Sequence, residues 1–524
     1  MGDEADADRA CSACHREIYE RYRLTPMANA SGPAVDGFIA ADFRHVDSGV
    51  HYRLYERDGK AWLSYERDDP ARELEGQQEL RYFVGSGKRG RTYLFEQQGY
   101  WFESPINWYA RKGMWDMAPA YQTAHQMPFT LSVDPGCLSC HASGAASSLP
   151  DARNHYAGEP FAQGGITCTA CHGNAAGHVA SRGKVRMVDL NQLEPVRRDS
   201  ICLQCHLEGE VAVTRAGRRP EAFAPGDDLF DFTVYFVHRS ASGSLERATS
   251  QWEALLRSQC KQVSGDRMTC TTCHDPHGSP STEERVAYYR EKCVQCHDRP
   301  GFLREHHPEN PDCAECHMAR AAASDIAHEQ VTDHWIRRRP GAERAAGATS
   351  GALATVGLEL ADDREFGLAY AQLAERGDRD AAKRAIEFLR RAEERSGTSG
   401  DHELHAQLGF LEQVQAHAQA AAGEYRTALR ADGYDEIAAG DLALIEAQQR
   451  RFAEAIGLLK GVFDRDPGEV GAGMDLAALE CGSGQREAAI RTLERVLHFS
   501  PDEDRARHMV EEIQTGKQRC EQQR

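Results

Sequence analysis

The chain has 524 residues, which is too long for one ordinary core and predicts two or more domains. Its formal net charge of −19 argues against a nucleic-acid partner, because a phosphate-binding surface needs clustered lysine and arginine. No apolar run approaches the ~18 residues of a membrane helix, and the mean hydropathy is −0.61, so the sequence predicts a soluble chain without a transmembrane segment.

The cysteines follow one repeated pattern, C-x-x-C-H, which accounts for fourteen of the 17 in seven copies. The cysteine pairs are Cys11 and Cys14, Cys137 and Cys140, Cys168 and Cys171, Cys202 and Cys205, Cys270 and Cys273, Cys293 and Cys296, and Cys313 and Cys316. The histidines that follow them are His15, His141, His172, His206, His274, His297 and His317.

This pattern is typical of c-type haem attachment. Two thiols a short turn apart can each bond one vinyl group of the haem, and the histidine that follows binds the iron. A thioredoxin-like pair, a structural zinc site or a disulfide framework would not repeat the histidine seven times. The sequence therefore predicts seven covalently attached haems c.

Covalent haem attachment takes place outside the bacterial cytoplasm, so we expect a periplasmic or extracellular protein. The opening "MGDEADADRAC" has neither a basic n-region nor an apolar h-region. We interpret it as a mature or expressed form from which the signal peptide has been removed.

The first elements in chain order are a helix and a β-rich insert. Residues 1–30 carry the first motif and a predicted helix, "REIYERYRL". Residues 43–110 hold no motif and alternate as strands do, with predicted hairpins at Asp58-Gly59 and at Gly99. Aromatic residues are frequent in this insert, and we expect them to form a small sheet core that packs on haem faces.

Residues 120–340 hold six motifs in two clusters, 137–206 and 270–317. The polypeptide between the motifs is too short for a conventional apolar core. We therefore expect the haems themselves to form the core of a domain that spans 1–340, with the chain wrapped around stacked porphyrins.

The composition changes after a predicted linker at 341–352. Columns of similar residues recur every 34 positions, as at Ala421, Ala455 and Ala489. This period resembles three to four tetratricopeptide repeats within a domain that spans 353–524, closed by a capping helix. The predicted fold class is mainly α: a haem-cored multihaem cytochrome with little regular structure and a small β insert, followed by a tetratricopeptide-like helical solenoid.

Iron that is bound by histidine on both sides needs a second histidine for each haem. Eleven histidines before residue 340 lie outside the motifs, which is enough for seven irons. His306 and His307 are adjacent, so we expect only one to bind iron and take His307 as the candidate. The other candidates near the motifs are His125, His155, His178, His277, His328 and His334.

His277 follows His274 by three residues and cannot reach the opposite face of the iron that His274 binds. We therefore expect His277 to bind the iron of a neighbouring haem. The first motif has Met27 nearby as an alternative ligand, which would raise the potential of that haem. Cys260, in "RSQCK", lacks the first cysteine of an attachment motif and is interpreted as a buried free thiol.

The motif region resembles exported multihaem cytochromes c related to the tetrahaem cytochrome of ammonia oxidisers and to octahaem hydroxylamine oxidoreductase. The matching segments are the C-x-x-C-H series, "CHGNAAGH" (171–178), "CTTCHDPHG" (270–278) and "VTDHW" (331–335). The resemblance implies haems in parallel and perpendicular pairs, with histidines that serve neighbouring haems. The chain departs from the catalytic members because it has no lysine-ligated motif.

Three functions are compatible with this pattern. The favoured one is an electron-transfer protein, with closely packed haems between redox partners and a repeat domain that docks one of them. The second is an oxidoreductase that acts on a small nitrogen or sulfur compound at a five-coordinate haem. The third is a polymeric extracellular cytochrome, a homo-oligomer or filament in which a histidine of one subunit binds a haem of the next.

Overall fold

The structure is a computed structural model. It describes residues 8–119, 121–149, 152–239, 250–306, 309–320, 332–338, 351–357, 361–396, 400–431 and 434–521. Helix accounts for 44% and strand for 17%, so helix predominates. Most of the predicted linker at 341–352 lies outside the described residues.

The α-helices are numbered in chain order. They are α1 (Arg9–Ser12), α2 (Arg16–Tyr22), α3 (Pro135–His141), α4 (Cys168–His172), α5 (Ala176–Ala180), α6 (Pro195–His206), α7 (Gln251–Leu256), α8 (Gln259–Ser264), α9 (Cys270–Cys273), α10 (Arg285–Val294), α11 (Phe302–Glu305), α12 (Cys313–His317), α13 (Asp363–Glu375), α14 (Arg379–Ser396), α15 (His402–Val414), α16 (Ala418–Ala431), α17 (Glu436–Gln448), α18 (Phe452–Arg465), α19 (Val470–Gly482), α20 (Arg486–Phe499) and α21 (Asp504–Thr515). Short 3₁₀ turns occupy Pro220–Ala222, Leu229–Asp231 and Gly265–Arg267.

The strands are short and antiparallel. They are β1 (Ser31–Pro33), β2 (Ala41–Arg44), β3 (His51–Arg57), β4 (Lys60–Arg67), β5 (Leu74–Leu80), β6 (Tyr82–Val84), β7 (Gly90–Gln97), β8 (Tyr100–Glu103), β9 (Ile106–Tyr109), β10 (Met114–Met117), β11 (Leu131–Ser132), β12 (Ala142–Ala145), β13 (Phe161–Gly164), β14 (Val211–Thr214), β15 (Thr233–His238) and β16 (Leu353–Thr355).

The chain divides by its internal contacts into two compact units. The first unit comprises Met1–Asn29 and Gly165–Glu365, and the second comprises Ala30–Gly164 and Phe366–Arg524. Six C-x-x-C-H motifs therefore belong to the first unit, and the motif at 137–141 belongs to the second.

The first unit consists mainly of short helices that carry the motifs. Its sheet has the order β14-β15-β16. The apolar cluster on this sheet is small and is centred on Leu203, Phe230 and Val237, each at most 5% exposed. Among the described residues of this unit, most of the buried apolar side chains lie in or next to this sheet.

The β-rich part of the second unit contains both predicted hairpins, which are thereby confirmed. β3 pairs with β4 so that Arg57 faces Lys60 across the turn. The two turn residues, Asp58 and Gly59, have φ of 55° and 72°, the conformation that a two-residue turn requires. The second turn joins β7 to β8 around Gly99, where φ is 86°.

The strands extend beyond the predicted range of 43–110 at both ends. One sheet has the order β2-β3-β4-β5, and a seven-stranded sheet contains β1, β10 and β11, which lie outside that range. These three strands are two to four residues long, so they are too short to show a clear alternation of polar and apolar residues.

The repeat helices of the second unit follow the predicted 34-residue period. Ala421, Ala455 and Ala489 are fully buried, where small side chains let paired helices approach closely. Pairs α15–α16, α17–α18 and α19–α20 are followed by α21 at the predicted capping position. The repeat pattern read from the sequence is confirmed for these helices.

The repeat helices and the β-rich segment share one core. Phe499, at the end of α20, is fully buried in the same apolar cluster as Tyr52, Phe95 and Phe102. Beside it, the Arg67 guanidinium is ion-paired with Asp502, and their side chains are 4% and 0% exposed. The sequence did not predict this packing, because the partners are more than 400 residues apart.

None of the described helices is long and apolar enough to cross a membrane.

The buried ion pair predicts a large and specific loss of stability. Asp502→Ala should lower the free energy of unfolding of the second unit by about 3–5 kcal/mol, because it leaves the buried Arg67 guanidinium unpaired. Glu79→Ala is the matched control, since the exposed Lys60–Glu79 pair should contribute at most about 1 kcal/mol. Denaturant unfolding followed by circular dichroism measures both, and equal losses would contradict the assignment.

A disulfide between Cys481 and Cys520 joins the end of α19 to the segment after α21 and closes a loop of 39 residues. Cys520→Ser should destabilise the repeat helices by about 2–4 kcal/mol, because the unfolded chain regains the entropy of the open loop. Cys260→Ser is the control, since Cys260 is a free thiol. Thermal melts with and without reductant test this, and a reductant effect that persists in Cys520→Ser would refute it.

Candidate functional site

Each motif forms one tight turn that brings its two cysteines together. In four examples, α3, α4, α9 and α12, the motif starts a helix or lies within one. The amide of the motif histidine donates to the carbonyl of the first cysteine, at 2.8 Å for His15 and at 3.0 Å for His274 and His297. Residues i and i+3 of such a turn lie on one side of the helix. The two thiols can therefore attach to one macrocycle.

The residues before the motifs cap these turns. The Asp134 carboxylate accepts a hydrogen bond from the Cys137 amide at 3.0 Å, and the Asp312 carboxylate accepts from the amides of Ala314 and Glu315. Such capping stabilises a helical turn that is too short to be stable alone.

None of the fourteen motif cysteines forms a disulfide. Paired thiols, each pair followed by an imidazole, are the donor set that haem c requires. The side chains of the motifs therefore fit this cofactor.

Four motif histidines have a second histidine ring facing them in the first unit. The ring centroids are 6.3 Å apart for His15 and His178, and 5.9 Å apart for His172 and His277. They are 6.1 Å apart for His274 and His334, and 5.7 Å apart for His317 and His306. The angles between the ring planes lie between 7° and 32°.

These spacings match what one iron between two imidazoles requires. With metal–nitrogen bonds of about 2 Å, the two binding nitrogens lie about 4 Å apart and the ring centroids roughly 6 Å apart. In the His306–His317 pair, the two Nε2 atoms face each other at 3.4 Å. Each of the four pairs can therefore hold an iron from both sides.

Backbone carbonyls orient three of these rings. The Nδ1–H groups of His178 and His334 donate to Val185 O and Thr332 O, both at 2.8 Å. His317 Nδ1–H donates to Arg337 O at 2.6 Å. A hydrogen bond at Nδ1 selects the tautomer whose Nε2 is free to bind a metal.

Burial keeps several of these imidazoles neutral. It lowers the pKa of His206, His274 and His334, and the charge of nearby histidines adds to the effect for His206 and His274. Burial also lowers the pKa of His172, helped by His277 and His15. A histidine must be neutral to bind a metal, so these environments favour ligation at neutral pH.

The remaining motif histidines have other surroundings. The His297 ring stacks on Phe302 with centroids 5.4 Å apart. His141 ends α3 in the second unit, where Leu138 of the same motif packs against Trp101 and Tyr156. This cluster brings an aromatic residue of the β-rich segment, Trp101, to an attachment motif.

The other sequence candidates have different outcomes. His155 stacks on Tyr100 at 4.3 Å, and His125 Nδ1 donates to Asp47 O at 3.4 Å. Met27 was the alternative ligand for the first motif, but the ring that faces His15 is that of His178. The backbone carbonyl of Met27 accepts a hydrogen bond from Ile166 N at 3.0 Å.

His307 and His328 lie outside the described residues. The structure brings His306 to His317, a partner that the sequence analysis left unselected. The signal was present in the adjacent His306-His307 pair, but spacing alone could not choose between the two.

Thiols of different motifs also meet within the first unit. Cys202 lies close enough to Cys270, and Cys293 to Cys313, for each pair of thiols to interact electrostatically. Cys11, Cys168 and the Asp8 carboxylate have atoms within 4.8 Å of one another. Cys260 lies among the fifth and sixth motifs, close enough to Cys273 and Cys296 for their charges to interact.

Three segments of the chain match known protein families. Residues 109–173 match the family described as cytochrome c554 and c-prime, and residues 262–302 match the doubled CXXCH motif. Residues 446–513 match the tetratricopeptide repeat.

A curated relative and several solved structures are similar to parts of the chain. The multiheme cytochrome MtrA of Shewanella baltica (strain OS185) is 24% identical over 198 residues, which are 33% of this chain and 55% of that protein. The chain thus spans about half the length of this relative.

Among solved structures, the match to MamA from Desulfovibrio magneticus RS-1 covers 30% of this chain and 88% of the MamA chain, at 17% identity and a TM-score of 0.27. The match to pilF of Pseudomonas aeruginosa covers 30% of this chain and 70% of the pilF chain, at 20% identity and a TM-score of 0.26. The family matches include the second, third, fifth and sixth C-x-x-C-H motifs and the last repeat helices. The chain therefore combines a multihaem c-type cytochrome with a tetratricopeptide repeat region.

Proposed function

We propose that this protein relays electrons along seven covalently attached haems between redox partners. The observation that carries the proposal is the set of four imidazole pairs at the spacing of a shared iron. Each haem, when bound, supplies an iron that alternates between the ferric and ferrous states. In these four pairs, the residues of the chain would hold the iron from both sides and leave it no open position for a substrate.

The facing rings are the basis on which we propose the histidines that would hold each iron. The first haem would be held by His15 and His178, and the third by His172 and His277. The fifth would be held by His274 and His334, and the seventh by His317 and His306. Each second histidine comes from another part of the chain, so each ligand pair also ties two segments of the first unit together.

Contacts between the motifs support a continuous route through the first unit. The first and third motifs meet at Cys11 and Cys168, and the fourth and fifth meet at Cys202 and Cys270. The sixth and seventh meet at Cys293 and Cys313. Charge interactions link Cys171 with Cys202, and Cys273 with Cys296. On the basis of these contacts, we propose that electrons pass along the first, third, fourth, fifth, sixth and seventh haems in that order.

The second motif belongs to the unit that contains the repeat helices. Arg153 lies within reach of Asp134, which caps the motif helix, and is ion-paired with Asp466 and Glu469 beside α18 and α19. Tetratricopeptide repeats are a protein-binding architecture. We propose that they dock a redox partner and that the haem at Cys137–His141 exchanges electrons with it.

A periplasmic or extracellular location fits these features. Haem c attachment takes place outside the cytoplasm, and the Cys481–Cys520 disulfide is stable in an oxidising compartment.

A second candidate function, chemistry at an open iron, is favoured by the sixth motif. The ring stacked on His297 is that of Phe302, whose phenyl group has no atom that binds iron. A small nitrogen or sulfur compound could reach that iron if the phenyl ring moves aside.

Spectroscopy and mass separate the two functions. The intact mass should exceed that of the polypeptide by seven haems, and the oxidised protein should show only low-spin haem in its EPR spectrum. A high-spin signal that responds to nitrite or hydroxylamine and disappears in Phe302→His would favour the second candidate. A mass that accounts for fewer than seven haems would contradict the proposed count.

The assignment of His277 has its own test. His277→Ala should leave all haems attached and convert the third haem, not the fifth, to high spin, because His277 faces His172. His155→Ala is the control, since His155 stacks on Tyr100 and should leave every haem low-spin. Optical and EPR spectra measure the change. A change at the fifth haem, or none at all, would contradict the pairing.

A further inference from the structure

The turn that carries His277 is held by a helix from the other end of the first unit. Arg21 of α2 is ion-paired with Asp275, two residues before His277. The Tyr22 ring lies edge-on to the His277 ring, with centroids 6.4 Å apart, and its hydroxyl donates to Ile166 O. Helix α2 follows directly after His15, so it connects the surroundings of the first and third haems.

Asp275 places a carboxylate beside His277. Its Oδ1 accepts the His277 backbone amide at 2.9 Å and lies 3.6 Å from Nδ1 of the same residue. The Nδ1 groups of His178 and His334 instead meet neutral carbonyls. A formal negative charge therefore stands beside this imidazole, too far for a direct hydrogen bond but close enough for an electrostatic effect.

Arg21 opposes that charge. Its guanidinium donates to the other carboxylate oxygen of Asp275 and passes close to Gly278, where a Cβ would lie 2.9 Å from Arg21 Nη2. The side chains of Arg21 and Asp275 are 59% and 33% exposed, so solvent screens the pair in part. The net field at His277 depends on the balance of the two charges.

We propose that Asp275 and Arg21 are positioning residues that set the reduction potential of the haem attached at Cys168–His172, Asp275 lowering it and Arg21 raising it. The inference rests on the proposed ligand pair His172–His277. The ferric haem carries one more positive charge than the ferrous haem. A nearby carboxylate therefore stabilises the oxidised form, and a nearby guanidinium destabilises it. The surroundings of a ligating histidine are an established control on metal potentials.

The test uses charge changes of opposite sign. Asp275→Asn keeps an oxygen that can accept the His277 amide, and it should raise the potential of the third haem. Arg21→Gln should lower it, and the double variant should lie close to the wild type. We expect each single change to shift the ratio of oxidised to reduced haem at fixed potential by about three- to tenfold, where tenfold corresponds to about 59 mV.

The third haem is identified as the low-spin EPR signal that is lost in His277→Ala, and its potential is then measured by redox titration of the holoprotein. Arg23→Gln is the matched control, because it removes the same charge from the end of the same helix without touching Asp275. Shifts of the same sign for Asp275→Asn and Arg21→Gln, or no shift, would overturn the inference while leaving the ligand pair intact. If His277→Ala changed no haem, the pairing itself would fail.

Discussion

An iron that takes one imidazole from each side requires two side chains with their binding nitrogens about 4 Å apart, and four pairs of histidine rings in the first unit have a spacing compatible with that requirement. Its helices are short, and its apolar cluster is confined to one small sheet. Facing histidine rings are among the contacts that bring distant segments of this unit together. In the proposed function, iron binding would add to side-chain packing in holding these segments in place.

The facing histidine rings connect different motifs. His178 follows the third motif in sequence but faces the histidine of the first, and His277 follows the fifth motif but faces the histidine of the third. Each iron would therefore bind two segments that carry their own haems. Moving one haem would disturb its neighbours, which favours constant distances for electron transfer.

The second unit is held together by different forces. A conventional aromatic core and the buried Arg67–Asp502 pair join the β-rich segment to the repeat helices. Breaking such a pair is costly because one charge would remain buried alone. The motif at 137–141 and the repeat helices belong to the same compact unit. A partner bound to the repeats would then have a defined position relative to that haem.

The sequence by itself determined the features that depend on residues close together in the chain. The C-x-x-C-H motifs, the Asp58-Gly59 turn and the 34-residue period are each local patterns with a direct physical meaning. Even the expectation that His277 serves another haem followed from a spacing of three residues. Only the tertiary structure decided which histidines face each other, such as His306 and His317. It also decided that the β-rich segment packs on the repeat helices. These outcomes depend on contacts between residues far apart in sequence, where spacing carries no information about distance in space.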